Sequence, residues 1–326
     1  MENMTTQQVA GGAAETMQYQ PIIPRKQKMA KSRKLFIIAM LAYPIIHFLV
    51  FWVYINFNTI LLSFQKYSFV RGEEVFFGIK NYRNFFIMLG DEIGGKVLRE
   101  SLINSLWYFV FNNFILLPIS IVCAYLLFKK VFAEKVFRVI FFLPNIISIV
   151  VLSMCFKFMF NGDFGPIHVA LESLGFSMPK DGLFMTEGSA QIMIFVYCLW
   201  AGIGYNVLLL SGSIARVPTE ILEAGKIDGI GMAREFIQIV VPLIMGTVST
   251  LFVTGSMVMF TLYLQPMLFT KGQYGTYTIA YYIVDQVNAG DLYFAAAIGI
   301  LCSLVGIPLI QGIKVLMEKI TPSVEF

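Results

Sequence analysis

The chain has 326 residues, of which 57% are hydrophobic and 13% charged, and its mean hydropathy is +0.73. Soluble domains carry about 25% charged residues, so this composition excludes an ordinary soluble domain and indicates a membrane protein. The net charge is only +4, and the basic residues lie beside apolar runs without interleaved aromatic residues, which argues against nucleic-acid binding.

Residues 1–34 are polar and end in a basic cluster, and we expect them to form a disordered cytoplasmic tail. The cluster consists of Arg25, Lys26, Lys28, Lys31, Arg33 and Lys34. The apolar run that follows begins too late and is too long for a cleaved signal peptide. Because basic segments are retained on the cytoplasmic side of a membrane, the cluster predicts a cytoplasmic N-terminus.

Six apolar stretches are each long enough to cross a bilayer, which takes roughly 20 helical residues. They are residues 35–62, 103–128, 139–160, 191–210, 243–269 and 294–316. They predict an all-α, multi-pass protein of the cell membrane, with one six-helix domain over residues 35–320 and a short cytoplasmic tail at 321–326.

Basic residues between these stretches predict the orientation. One side holds Lys129, Lys130, Lys135, Arg138, Arg216, Lys226, Arg234, Lys314 and Lys319. These residues share a side with the N-terminal cluster, which places both termini in the cytoplasm. The first loop on the opposite side fits less cleanly, because its basic residues are mixed with acidic ones.

Residues 217–242, between the fourth and fifth stretches, form a polar segment with an ordered pattern. Thr219 is suited to cap a short helix and Glu220 to occupy its first turn, while Gly229 and Gly231 permit the positive φ that ends one. A second helix has apolar and polar faces, formed respectively by Met232, Phe236, Ile239 and Val240, and by Arg234, Glu235 and Gln238. The pattern predicts two short helices joined by a glycine turn. We call residues 217–242 the two-helix segment.

The two-helix segment resembles the EAA loop of the membrane subunits of binding-protein-dependent ABC importers. That loop runs Glu-Ala-Ala, then Asp-Gly-Ala, then Phe, Ile and Pro. The matching residues here are Glu223, Ala224, Asp228, Gly229, Phe236, Ile239 and Pro242. Gly225 and Ile230 stand where the family usually has alanine.

Three shorter strings extend the resemblance to the carbohydrate-importing branch of that family. They are Phe77-Gly78-Ile79-Lys80-Asn81-Tyr82, Phe137-Arg138-Val139-Ile140-Phe141-Phe142-Leu143-Pro144, and Asp291 followed by Tyr293-Phe294-Ala295-Ala296-Ala297. They occur in the family's order with the family's gaps. The outer loop after Thr270 departs from the family pattern, so residues 270–292 are left without a predicted shape.

The resemblance implies a type I ABC importer permease, which carries a sugar or oligosaccharide and works with several partners. These are a second permease subunit, two ATPase subunits, an extracytoplasmic solute-binding protein and the membrane lipid. The resemblance also implies that Glu223 meets a cationic side chain of an ATPase subunit. The residues implied to couple to the ATPase are Glu223, Ala224, Gly225, Asp228, Gly229, Phe236 and Pro242.

Polar and small residues in the fourth and fifth stretches are candidates for the solute path. Cys198, Ala201, Gly202 and Tyr205 follow helical spacing in the fourth stretch. The candidates we select are Trp200, Gly202, Tyr205, Asn206, Ser256 and Thr261, with Tyr263 and Gln265 adding polar groups nearby. Aromatic rings with hydroxyl and amide groups suit a sugar, and Tyr205 matches a position that lines the sugar cavity in the family. The same small residues would also permit close helix packing.

No pattern of residues points to catalysis, a cofactor or a metal in this chain. Its cysteines and histidines are Cys123, Cys155, Cys198, Cys302, His47 and His168, and they lack ligand spacing. The phosphate-binding motif G-x-x-x-x-G-K-[ST] is absent from the sequence, so ATP hydrolysis must take place in another chain. No acidic residue falls in the middle of a predicted span, which disfavours proton coupling. A self-sufficient carrier or channel stays open as the alternative, although it does not explain the two-helix segment.

Overall fold

The computed structural model describes residues 31–68, 70–176, 179 and 182–320. The chain divides into two units, Met1–Ile55 and Asn56–Phe326. Most of the expected N-terminal tail and all of the expected C-terminal tail lie outside the described residues. Lys31, Arg33 and Lys34 were expected in the tail, but they form the first turn of helix α1, Lys31–Ser63. Both residue types are good helix formers, so the helix extends beyond the apolar run.

A short antiparallel hairpin follows α1 and consists of β1 (Gln65–Ser68) and β2 (Glu73–Phe76). Lys66 pairs with Val75 and Tyr67 with Glu74. The other regular elements of the described residues are helices, joined by turns and loops. Its further helices are α2 Lys80–Gly90, α3 Lys96–Phe128, α4 Glu134–Ile146, α5 Ile149–Met159, α6 Pro166–Ser173, α7 Ser189–Ile214, α8 Thr219–Ile227, α9 Met232–Leu243, α10 Met245–Thr261, α11 Leu264–Phe269, α12 Ile279–Asn288 and α13 Leu292–Ile320.

Four of these helices, α1, α3, α7 and α13, are each long and apolar enough to cross a bilayer. The expected third and fifth spans, residues 139–160 and 243–269, are not single unbroken helices. The third falls in the pair α4 and α5, bent by 115°. The expected fifth covers α10 and α11, whereas the bent pair that can count as a fifth span is α9 and α10, bent by 73°. Counting each bent pair as one span gives up to six spans in the described chain.

Prolines lie near two of these breaks. Pro144 lies in the last turn of α4, which ends at Ile146, and Ile147 then adopts an extended backbone. The predicted fifth span also ends early. The ring of Pro266 would clash with the carbonyl of Leu262 in a continuous helix. That carbonyl instead accepts a hydrogen bond of 2.5 Å from the Thr278 hydroxyl, and α11 begins as a separate helix.

Helix α7 lies against both α3 and α4, and glycine allows the closest approach. A methyl group at Gly204 would overlap the backbone carbonyl oxygen of Phe141 in α4 and the side-chain amide of Asn145. A buried apolar cluster surrounds the end of α7 that leads into the two-helix segment. It includes Leu117, Ala124, Tyr125, Val207, Leu210, Ile214, Val217, Leu222, Val240, Ile244, Val248 and Leu251.

A second cluster, rich in aromatic rings, lies at the other end of α7. Phe184 stacks on Phe269 with ring centroids 4.7 Å apart, and Tyr197 packs edge-on against Phe269 at 4.8 Å. The Ser153 hydroxyl donates a 3.1 Å hydrogen bond to the Tyr197 hydroxyl. These contacts join α5, α7 and α11, so the broken third and fifth spans are held together by ring packing.

The segment from Thr270 to Thr278, whose shape the sequence did not predict, is tied to α3. The side-chain amide of Asn104 donates to the carbonyls of Gly275 and Tyr277, at 2.7 and 2.8 Å. The Tyr277 hydroxyl donates to Asp285, and burial, followed by this hydrogen bond, raises the pKa of Tyr277 above its ordinary value. The segment is therefore fixed by hydrogen bonds on both sides.

Candidate coupling segment and solute path

The two-helix segment forms the two helices expected, α8 and α9, but two details of the prediction are wrong. Thr219 does not cap α8. It is the first helical residue, and Pro218 precedes it with extended geometry and no side-chain cap. Gly231 has φ −73°, so it adopts the ordinary extended backbone that precedes α9 rather than a left-handed turn.

The turn at Gly229 closes α8 as the sequence predicted. Gly229 has φ +72°, a conformation that favours glycine. The amide of Ile230 donates to the Gly225 carbonyl at 2.9 Å, and the amide of Gly229 donates to the Lys226 carbonyl at 3.1 Å. This pair of bonds is a Schellman motif, which satisfies carbonyls that would otherwise lack partners at the end of the helix.

Gly225 is buried where the two helices meet. A methyl group at this position would lie 2.9 Å from Cδ1 of Ile239 and 3.7 Å from Cδ1 of Ile230. The Ile239 side chain therefore occupies part of the space that an alanine methyl at residue 225 would need. Glycine at residue 225 thus permits close packing of the two helices.

The expected coupling residues divide between an exposed surface and the core. Glu223, Ala224, Asp228, Gly229 and Pro242 are exposed, Phe236 is half-buried, and Gly225 is buried. Among the described residues, Glu223 makes no ion pair. Val217, Leu222 and Val240 anchor the segment in the apolar cluster at the end of α7. The exposed carboxylates are therefore carried on a packed support.

Glu235 was expected on the exposed polar face of α9, and this is wrong. Only 4% of the surface of Glu235 is exposed. Its Oε1 lies 2.5 Å from Nζ of Lys129, the residue that follows α3. A buried carboxylate needs such a partner, because removing its charge from water is otherwise unfavourable.

A cavity of about 270 Å³ opens between α3, α4, α7 and α10. Cys198, Ala201, Gly202 and Gln265, all noted in the sequence, line this cavity together with Tyr108, Asn112 and Asn145, which the sequence did not single out. Amide, hydroxyl and apolar groups thus face one space. This combination can bind a neutral polar solute.

Of the six selected path candidates, only Gly202 lines this cavity among the described residues. Trp200 packs on Phe156 at 6.0 Å, and Asn206 donates to the Ser120 hydroxyl at 3.4 Å. Tyr205, with 53% exposure, does not line it.

Ser256 and Thr261 also lie elsewhere. Ser256 is fully buried, donates to the Phe252 carbonyl and accepts from Asn113, which leaves it a role in helix packing. Thr261 lines a separate groove of about 420 Å³ between α10 and α13.

Tyr108, which lines the cavity, and the nearby Gln191 have buried polar atoms with unused hydrogen-bonding capacity. Tyr108 and Gln191 are neighbours, yet neither the Tyr108 hydroxyl nor the Gln191 amide has a hydrogen-bond partner of normal geometry among the described residues. Leaving such groups unpaired costs about 1–3 kcal/mol each. A water molecule or a solute hydroxyl could pair with them.

Tyr108→Phe is expected to leave the free energy of unfolding unchanged or slightly higher, because it removes a buried hydroxyl that has no partner. Tyr197→Phe is the matched control in the same cavity, and it should lower stability by about 1 kcal/mol, because the Ser153 hydroxyl loses its acceptor. Thermal unfolding of the purified chain in detergent measures both. Equal losses in the two variants would contradict the assignment of an unpaired hydroxyl to Tyr108.

Residues 116–321 match the family described as "Binding-protein-dependent transport system inner membrane component". The chain is 30% identical over 245 residues to the probable ABC transporter permease protein YurN of Bacillus subtilis (strain 168), covering 70% of this chain and 77% of that one. It is 27% identical over 269 residues to the arabinooligosaccharides transport system permease protein AraP of Halalkalibacterium halodurans, covering 80% and 81%.

A solved structure also shares the fold. It is a bacterial ABC transporter involved in the import of the acidic polysaccharide alginate, with a TM-score of 0.76. The match covers 89% of this chain and 97% of that chain, at 19% sequence identity.

Proposed function

The chain belongs to the family of binding-protein-dependent transport system inner membrane components, the permease subunits of ABC transporters, and we propose that it imports a sugar or oligosaccharide. It would form the path together with a second permease subunit. The sugar class is supported by the arabinooligosaccharide permease AraP and by the maltose/maltodextrin permease MalF of Escherichia coli, which is 27% identical over 214 residues. The cavity beside Gly202 offers polar and apolar groups that suit this class.

The single observation that carries the coupling role is the packed two-helix segment with its exposed carboxylates. Glu223 and Asp228 are exposed on a support that the apolar core holds in place. A rigid pair of helices can transmit a rigid-body movement, whereas a flexible loop of equal length would absorb it. We infer that Glu223 pairs with a cation on one of two ATPase subunits, which would hydrolyse ATP on behalf of this chain.

The remaining partners and the solute-path residues belong to the same proposal. An extracytoplasmic solute-binding protein would deliver the sugar, as the structure of the alginate transporter in complex with an alginate pentasaccharide-bound periplasmic protein suggests for that transporter. Tyr205 is exposed in the single chain, which leaves it free to face the second permease subunit across the path. Trp200 and Asn206 would support the wall of that path.

Affinity purification of the tagged full chain from its native host tests this function. The expected result is recovery of a second permease, ATPase subunits and a secreted binding protein, together with a bound sugar. Recovery of this chain alone in an active transport preparation would contradict the proposal and favour a self-sufficient carrier.

We propose that both termini and the two-helix segment face the cytoplasm, since the basic residues share that side. A cysteine placed at exposed Lys226, in a variant without native cysteines, should resist an impermeant thiol reagent in intact cells and react after permeabilisation. A cysteine placed at exposed Ile93, in the loop before α3, is the control, and it should react in intact cells. The reverse labelling pattern would contradict this orientation.

A further inference from the structure

The two-helix segment is joined to the end of α3 by an ion pair whose carboxylate is buried and whose lysine side chain is 22% exposed. Nζ of Lys129, which directly follows α3, lies 2.5 Å from Oε1 of Glu235 in α9. The Glu235 residue is 4% exposed, although its neighbours Arg234 and Gln238 are exposed. The position of this carboxylate therefore requires an explanation, because a rotation of one residue along α9 would place it in solvent.

Tyr125 reinforces the same joint from the last turn of α3. Its hydroxyl donates a 3.1 Å hydrogen bond to the backbone carbonyl of Met232, the first residue of α9. Its ring lies 4.8 Å from the ring of Phe236, and the Lys129 ammonium lies 5.6 Å from the Tyr125 ring centroid. One face of α9 thus meets the end of α3 through an ion pair, a hydrogen bond and an aromatic contact.

The ion pair differs in kind from the apolar contacts beside it. Val240 and Ile244 already bury the segment in the core, but apolar contacts are non-directional and tolerate small sliding of one helix on another. An ion pair whose carboxylate is buried depends strongly on the separation of its charges, because sliding α9 away from Lys129 would leave the Glu235 carboxylate buried without a partner. It can therefore fix the register of α9 on α3 in a way that the apolar cluster cannot.

We propose that the Lys129–Glu235 ion pair is a positioning contact for coupling. It holds α9 in one register on the end of α3, so that α3 and the two-helix segment move together when the ATPase subunits act on the segment. This inference rests on the proposed function, since it assigns the pair a part in the same transmission. Neither Lys129 nor Glu235 lines the cavity beside Gly202, so the proposed role is one of positioning.

The test compares variants of the full chain, each expressed with its native partners. The single variants are Glu235→Gln and Lys129→Gln, and the pair variants are the reversed pair K129E/E235K and the apolar pair K129M/E235M. Arg234→Gln and Lys130→Gln are matched controls, because these neighbours carry charge and are exposed. The readouts are the melting temperature of the complex, its ATPase activity and the uptake of the malto- or arabino-oligosaccharide that wild-type cells import fastest.

We expect each single variant to lower uptake per ATP hydrolysed by about tenfold or more, within the range of measured coupling energies. The reversed pair should recover uptake, and both neighbour controls should match the wild type. The apolar pair is the decisive variant, because two apolar residues often stabilise a fold as well as a buried ion pair does. It should keep the melting temperature and still fail to restore uptake.

Uptake at the wild-type level in the apolar pair would overturn the inference, because a purely structural contact would then suffice. Failure of the reversed pair to exceed the single variants would overturn it as well. If the wild-type complex hydrolyses no ATP, or imports neither malto- nor arabino-oligosaccharides, the proposed function itself is contradicted. The wild-type sample alone reveals this, so the two failures are distinguishable.

Discussion

Gly204→Ala is expected to lower the stability of the chain by about 3 kcal/mol or more, at the upper end of overpacking effects. The added methyl would overlap the Phe141 carbonyl oxygen, which is backbone and cannot rotate away. Helices α4 and α7 would have to separate, and the wall of the cavity at Asn145 would move with α4. The melting temperature and the folded yield in detergent measure this loss.

Gly212→Ala is the matched control in the same helix. Nothing lies within 4 Å of the position that its methyl would occupy. Alanine is favoured over glycine inside a helix by roughly 0.5–1 kcal/mol, so this variant should be neutral or slightly more stable. If Gly204→Ala and Gly212→Ala lower stability equally, the close contact between Gly204 and the Phe141 carbonyl would not be the cause of the loss.

Gly229→Val is expected to lower sugar uptake by about tenfold or more, within the usual range of coupling energies. The backbone there has φ +72°, which a β-branched residue adopts only with strain, so the Schellman turn should open and α9 should reorient relative to α8. Crowding is not the cause, because no atom lies within 4 Å of the added methyl position. Uptake by cells that carry the variant complex measures the effect.

Two variants isolate the backbone effect. Gly229→Asn should retain most uptake, because asparagine tolerates the left-handed region. Gly231→Val should also retain it, since Gly231 has φ −73° and open space around its methyl position. Wild-type uptake by Gly229→Val would contradict the role of the turn, as would equal losses in Gly231→Val.

Hydropathy predicted where the membrane-spanning segments lie, but it could not predict the breaks. An average over twenty residues is insensitive to two or three residues that leave the helix. Proline alone is no guide either. Pro44 and Pro308 lie inside unbroken helices, whereas Pro144 and Pro266 lie near breaks. The difference depends on tertiary partners such as Thr278. Its hydroxyl donates a hydrogen bond to the Leu262 carbonyl, which would otherwise lack a partner at the break.

In the two-helix segment, features set by neighbouring residues were predictable from the sequence, whereas features set by distant residues were not. The turn at Gly229 was predictable because its signal is local: glycine follows the last helical residues at the expected offset. Glu235 was misplaced because its partner, Lys129, lies on a distant part of the chain. Periodicity assigns a charged residue to solvent unless a buried partner is known.

The lining of the proposed solute path was the least predictable part. Gly202 was found because small residues at helical spacing stand out in the sequence. Tyr108 and Asn145 were missed, because they lie on α3 and α4 and enter the cavity only through the packing of those helices on α7. Ser256, in contrast, was selected for its hydroxyl, which the structure uses within its own bundle.

The central claim is that the exposed carboxylate of Glu223 couples this permease to separate ATPase subunits. The most direct measurement is the amount of ATPase recovered per tagged chain for the wild type, Glu223→Ala and Lys226→Ala, both exposed positions of α8. Truncating one partner of a desolvated charge pair costs at least about 2 kcal/mol, roughly a thirtyfold change in an equilibrium constant. We predict that Glu223→Ala loses ATPase while Lys226→Ala and the wild type retain it. Full ATPase recovery and full uptake in both variants would contradict the claim.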